Sequence, residues 1–211
     1  MTVLPIHFLG AYGTHTSKPV VLVCGEELTT YSRWVRGTIR EFLHFSARLI
    51  ASKTPIGQSF TIDVEKEPFV AHSYGREDGL VIVVITFRDY PVDIVQRLLF
   101  RAARRYPDGR WMLDTVDNKI PDTEYQELMA RFQDPTTVDS LRRVQAKIEE
   151  VKTIAVVTLD KLLAREETLE SLVAKTDDLS EVSKKFYSRS EDLSGCCWKW
   201  FGWRRHRLAT D

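Results

Sequence analysis

The sequence predicts a mixed α/β unit over residues 1–133, followed by one long coiled-coil helix. Three observations lead there. Apolar residues between Val3 and Phe132 alternate between strand and helix periods, Leu80 to Phe87 (LVIVVITF) is apolar at nearly every position, and Thr136 to Leu193 contains neither Pro nor Gly. The first two describe a packed sheet with helices, and the third describes an uninterrupted helix.

Taken in order, Val3 to Tyr12 and Val20 to Gly25 are β-branched apolar runs separated by Gly13, Thr14, Ser17 and Pro19, which reads as a hairpin. From Ser32, the residues Val35, Ile39, Phe42, Leu43, Leu49 and Ile50 recur at helical spacing until Pro55 and Gly57 stop them. Phe60, Ile62 and Val64 alternate with Thr61, Asp63 and Glu65 as a half-buried strand does, and Pro68-Phe69 leads into a further extended run to Tyr74. Leu80 to Phe87 then predicts a central strand covered on both faces. Tyr90-Pro91 opens a helix through Ile94, Val95, Leu98, Leu99 and Ala102, and Pro121 opens another through Tyr125, Leu128, Met129 and Phe132. The expected order is β-β-α-β-β-β-α-α. Residues 134–137 form a linker, 138–195 the coiled-coil segment, and 196–211 a tail of different composition.

Thirty basic against thirty acidic residues leave no net charge, and this argues against a nucleic-acid partner. Three cysteines, two of them adjacent, exclude a disulfide framework and a Cys/His metal cluster. Met1 to Gly10 lacks the pattern of a signal peptide, and no run of about 18 apolar residues suggests a membrane span. Catalysis finds little support. His7, His15, His44, His72 and His206 are scattered, and neither a phosphate loop nor a nucleophile elbow is present. His44 reads as a hydrogen-bonded structural histidine, Cys24 as a small buried residue, and the pairs Glu166-Glu167 and Asp177-Asp178 as the solvated face of a helix. No cofactor, metal or small-molecule substrate is expected.

Stepping by three and four from Leu141 defines a seam: Leu141, Val144, Ile148, Val151, Ala155, Thr158, Leu162, Arg165, Leu169, Leu172, Thr176, Leu179, Ser183, Phe186, Ser190 and Leu193. Apart from Arg165, every position is apolar or a small Thr or Ser, which suits a multi-helix core. A guanidinium on that seam has five donors and no acceptor, so burial requires oxygens from partner helices. Ile154, Val157 and Leu163 are apolar but off the seam, so they form either a wider core-facing stripe or a second surface in need of a cover.

The run LLAREETLESLVAKTDDL around Arg165 resembles the core of an R-type SNARE motif. In that family one Arg meets three Gln side chains at the centre of a four-helix bundle. With the preceding elements, and with REFLHFSARLI, YGREDGLVIVV and Asp89-Tyr90-Pro91, the chain resembles the Ykt-type longin SNAREs up to Gly195. The resemblance implies an α+β, profilin-like longin domain with a five-stranded antiparallel sheet. It implies three Gln-SNARE helices as partners, and membrane fusion in vesicle traffic as the function. It also implies a domain that folds back over its own SNARE segment through Phe42, Phe60, Ile62 and Val64. The expected location is the cytoplasm, cycling to the cytosolic face of Golgi, endosomal or vesicle membranes. A rival reading is a longin-fold adaptor whose helix pairs in an ordinary two-stranded coiled coil.

Cys196 and Cys197 occupy the place where that family carries a cysteine pair for lipidation. Here the chain continues to Asp211, so the cysteine four from the end that prenylation requires is missing. Trp198, Trp200, Trp203 and Phe201 stand beside Lys199, Arg204, Arg205 and Arg207, a composition that suits a lipid headgroup interface if the two thiols are acylated. The alternative is an exon that replaced an ordinary lipidation box.

Overall fold

A computed structural model describes residues 5–63, 69–106, 109–135, 154–163 and 167–192. Strands β1 (Ile6–Gly13) and β2 (Val20–Glu26) form the predicted hairpin, followed by α1 (Arg36–Lys53), β3 (Ser59–Asp63), β4 (Phe69–Gly75) and β5 (Leu80–Phe87). Then come α2 (Val92–Arg105), a 3-10 turn at Arg110–Leu113 and α3 (Thr123–Phe132). The five strands are antiparallel in the order β2-β1-β5-β4-β3. β5 is therefore the middle strand of the five.

Its uninterrupted apolar run has a direct cause. Leu80, Ile82 and Val84 point into a core completed by Ile94, Leu98 and Leu99 of α2 and by Leu128 and Phe132 of α3. Val81, Val83 and Ile85 point the other way, against Ile39, Leu43, Ala47 and Ile50 of α1. A strand covered on both faces has no solvated side on which to place polar residues. Local signals set the helix limits: Asp122 caps α3 by accepting from the Tyr125 N–H at 3.0 Å, and α1 ends at Thr54, whose hydroxyl donates to the Ile50 carbonyl at 2.7 Å. Gly75 admits a close approach, since a Cβ there would lie 2.3 Å from the Pro55 carbonyl oxygen.

The segment predicted as one continuous helix over 138–193 takes a different form among the described residues. Ile154–Thr158 is a sixth strand, β6, joined in parallel to β3, so the sheet is mixed rather than wholly antiparallel. Short helices follow: α4 (Leu159–Leu162), α5 (Leu169–Lys175) and α6 (Glu181–Asp192). The β3 edge offers this stretch a partner that a lone helix lacks. A lone helix gains little from propensity, whereas the β-branched run Ile154-Ala-Val-Val-Thr158 can pair with a sheet edge.

Burial also holds two imidazoles neutral. It lowers the pKa of both His7 and His72 to about 4. The unfolded chain takes up these protons near pH 6.5, whereas the folded chain resists until about 4, so stability falls as pH drops through this window. The expected slope is on the order of 1 kcal/mol per pH unit for each ring. Urea midpoints at pH 7.5, 6.0 and 5.0 measure it, and equal midpoints would mean that neither ring is held neutral.

Candidate functional site

The outer edge of β3 and the outer face of α1 form one surface, and residues 154–192 lie on it. β3 would otherwise present unpaired backbone groups to solvent, and an edge of this kind accepts another strand. β6 supplies it, in the register Phe60↔Ala155, Thr61↔Val156 and Ile62↔Val157. The pleat then sorts the side chains. Ile62 is fully buried and Val157 packs inward with Leu159 and Leu162, while Val156 points out at 73% exposure.

Beyond β6 the contact moves to α1. Thr168 and Ser171 form a reciprocal capping box that starts α5 and turns Leu169, Leu172 and Val173 onto Phe42, Phe45 and Leu49. Leu179 and Ser183 are buried, and the Tyr187 ring lies 6.0 Å from that of Phe42. Each large apolar side chain buried here stabilises the contact by about 1.5–3 kcal/mol. Polar groups fix its register. Glu41 Oε2 accepts from the Ser180 N–H at 2.7 Å, and Lys53 Nζ lies 2.7 Å from Glu167 Oε2. Burial pushes the Glu41 carboxyl up, but the Ser180 N–H and the Ser183 and Ser180 hydroxyls outweigh it and hold the group below the usual range.

Among the predicted surface residues, Phe42, Phe60 and Ile62 all touch this contact, and Val64 lies outside the described residues. Of the seam, Leu179 and Ser183 are buried, and Ala155, Thr158, Leu162, Leu169, Leu172, Thr176 and Phe186 are half-buried. The off-seam stripe is covered as well, with Leu163 buried and Ile154 and Val157 half-buried. Leu141, Val144, Ile148, Val151, Arg165, Leu193, Cys196 and Cys197 lie outside the described residues, as does the side chain of Ser190.

One expectation needs correction. Asp178, read as part of a solvated pair, has a side chain only 7% exposed and sits among Lys18, Arg48 and Lys119. A carboxylate between Thr176 and Leu179 looks solvated in any helical projection. Only the packing of the segment onto α1 brings it under cover.

Among the described residues, one group has metal-type ligands close together: Cys24, Glu26 and His44, all buried, with ligand atoms within 4.8 Å. Its carboxylate is already engaged. Glu26 accepts from Arg40 Nε at 2.6 Å and lies 3.1 Å from His44 Nε2. Although burial works the other way, the His44 and Arg40 contacts hold the Glu26 carboxyl below its usual range. Burial raises the Cys24 thiol to about 12, so it stays protonated. The arrangement is an internal ion pair between β2 and α1. No described helix is long and apolar enough to cross a membrane.

The Synaptobrevin family model matches residues 140–205. Over 92% of its length, the chain is 31% identical to "Synaptobrevin homolog YKT6" of Yarrowia lipolytica, covering 98% of that protein. It is 32% identical to "Synaptobrevin homolog ykt6" of Schizosaccharomyces pombe over 85% of the chain and 92% of the relative. It is 33% identical to "VAMP-like protein YKT61" of Arabidopsis thaliana over 86% and 91%.

A charge at the centre of the contact should release it. Phe42→Glu places a carboxylate among Phe45, Leu172 and Tyr187 and beside Glu41. Hydrogen exchange at 154–158 and 169–187 should become at least about tenfold faster while β5 keeps its protection. Unchanged exchange in both stretches would mean that Phe42 does not hold the segment.

Proposed function

The chain belongs to the family of Ykt-type synaptobrevin homologues, and from that membership we propose that it acts as an R-SNARE, supplying the Arg-bearing helix of a four-helix bundle in vesicle fusion. The observation that carries this reading is a coincidence of place. The synaptobrevin match over residues 140–205 falls on the stretch that holds the seam centred on Arg165.

The physical chemistry runs in two steps. In the closed form, Leu172, Leu179 and Ser183 of the seam face α1, so the surface a partner bundle needs is already in use. The two arrangements exclude each other, and a ligand that binds only the open one shifts the population toward it. Three Gln-type helices are that ligand. They offer a complete apolar core to the seam and three amide oxygens to the planar Arg165 guanidinium, which satisfies a charge that would be expensive to bury alone. Coupled folding of the segment onto them releases free energy at each seam layer and draws the attached membranes together. The longin domain acts as an internal competitor that keeps the segment from premature assembly.

The membrane attachment belongs to the tail. Acyl chains on Cys196 and Cys197 would supply two signals, which stable residence requires, and the neighbouring Trp and Arg side chains suit the interface. The basic residues add on the order of 1 kcal/mol each at an anionic surface and weaken with salt.

Two measurements test this. Mixed with three Gln-type SNARE helices, the chain should form a complex with one copy of each, and Arg165→Leu should still assemble but accept mismatched partners. A homodimer, or identical partner choice by the variant, would favour an ordinary coiled coil. For the tail, unmodified full-length chain should float weakly with anionic liposomes at low salt and less at high salt, whereas a chain ending at Gly195 should not float. Equal flotation would leave residues 196–211 without a membrane role.

A further inference from the structure

Asp178 is the one carboxylate of the 167–192 stretch on which three cationic side chains of the domain converge among the described residues. Lys18 Nζ lies 3.3 Å and Lys119 Nζ 3.5 Å from its Oδ1, and Arg48 Nε lies 3.3 Å from its Oδ2. These cations come from different elements. Lys18 is in the β1–β2 loop, Arg48 on α1, and Lys119 in the connection before α3. The Arg48 side chain, like that of Asp178, is 7% exposed, and its Nη2 donates to Asp117 Oδ2 at 2.6 Å. Arg48 Nε itself makes no hydrogen bond among the described residues, so its contact with Asp178 is one of charge alone. The Asp178 N–H donates to Thr176 Oγ1 at 3.1 Å, and this turns the carboxylate off the helical path between α5 and α6.

The Lys18 and Lys119 side chains are exposed and their pairs contribute little, whereas the Arg48–Asp178 pair is covered on both sides, so removing Asp178 leaves a guanidinium away from water with Asp117 as its remaining carboxylate. With the segment detached, Lys18, Arg48 and Lys119 keep Asp117 beside Arg48 and Lys119, and Glu41 within electrostatic reach of Lys119, so three cations stand near two carboxylates. The domain then presents a shaped cationic site that lacks its anion. Asp178 also lies off the seam, between Thr176 and Leu179, so it has no layer to fill in a bundle.

We propose that Lys18, Arg48 and Lys119 form a carboxylate-binding pocket of the longin domain, that Asp178 is its ligand in cis, and that occupancy of this pocket sets the closed-to-open balance independently of the seam. The pocket recognises an acidic peptide side chain. This rests on the closed form as the regulated state, and it adds a control point whose change leaves bundle formation intact.

The test needs no SNARE partner, so its failure would leave the R-SNARE reading standing. In the full chain, Asp178→Asn, nearly equal in size, should speed hydrogen exchange of residues 154–158 at least tenfold while β5 stays protected. Asp177→Asn, a change at the exposed neighbour, should leave it unaltered. Arg48→Gln should open the segment too, and the Arg48→Gln, Asp178→Asn pair should exchange no faster than the faster single variant, as one shared contact requires. A synthetic peptide of residues 169–187 should bind the Asp178→Asn chain at least tenfold more tightly than the same peptide carrying Asp178→Asn. Unchanged exchange in Asp178→Asn, equal opening by Asp177→Asn, additive effects of the pair, or equal affinity of the two peptides would each overturn the proposal.

Discussion

Everything distinctive about this molecule follows from the two edges of one sheet having to be covered. A strand edge is a row of backbone donors and acceptors that water or another strand must satisfy. On the β2 side the domain covers its own edge. The Asn118 N–H donates to the Val21 carbonyl and the Asp122 N–H to the Cys24 carbonyl, each at 2.7 Å, and Asp117 accepts from the Val21 N–H at 3.0 Å. That cover is continuous with α3 and stays with the domain. On the β3 side the cover is β6, which belongs to the segment proposed to leave for a bundle. One edge is closed by the connection that leads into α3, and the other by a strand about ninety residues further along the chain.

That asymmetry explains why the closed contact is built from two kinds of interaction. Strand pairing fixes register, because a one-residue slip would turn Val157 outward and Val156 inward. It discriminates poorly between sequences, however, since every residue carries the same backbone groups. Identity comes from the side chains, through Phe42 and Phe45 against Leu172, Val173 and Leu179, and through Arg48 against Asp178. Arg48 also reaches Asp117, on the connection that covers the β2 edge. The same guanidinium thus ties the 167–192 stretch to the connection that covers the opposite edge.

Sharing residues between two partners has a cost that the arrangement keeps small. In the proposed scheme Leu172, Leu179 and Ser183 serve both the seam and the domain, which makes the two states exclusive, whereas Val157, Leu163 and Asp178 serve only the domain. Residues of the second kind can set how tightly the segment is held without altering what it does once released. Their presence accounts for apolar surface beyond what a seam needs.

The sequence alone carried the five antiparallel strands and three helices of the domain, because burial of β5 on both faces and of one face of α1 writes periods of two and 3.6 directly into the residues. The seven-residue repeat centred on Arg165 is written in the sequence too, because such a repeat is a property of one chain, and its use in a bundle belongs to the proposed function. The second stripe through Ile154, Val157 and Leu163 was legible as an unexplained excess. Its cover is named through the family resemblance, as Phe42, Phe60, Ile62 and Val64, and not through periodicity, because β3 lies about ninety residues away and strand pairing leaves no residue-specific mark on the partner. The same limit hid Asp178. Its surroundings come from a loop, a helix and a connection that only the tertiary fold brings within 3.5 Å, and until they meet, an aspartate beside an aspartate is indistinguishable from a solvated helix face. Residues 154–158 are likewise a strand because of their tertiary partner, since the β-branched run suits the β3 edge while the same residues read along the chain as part of a helical seam.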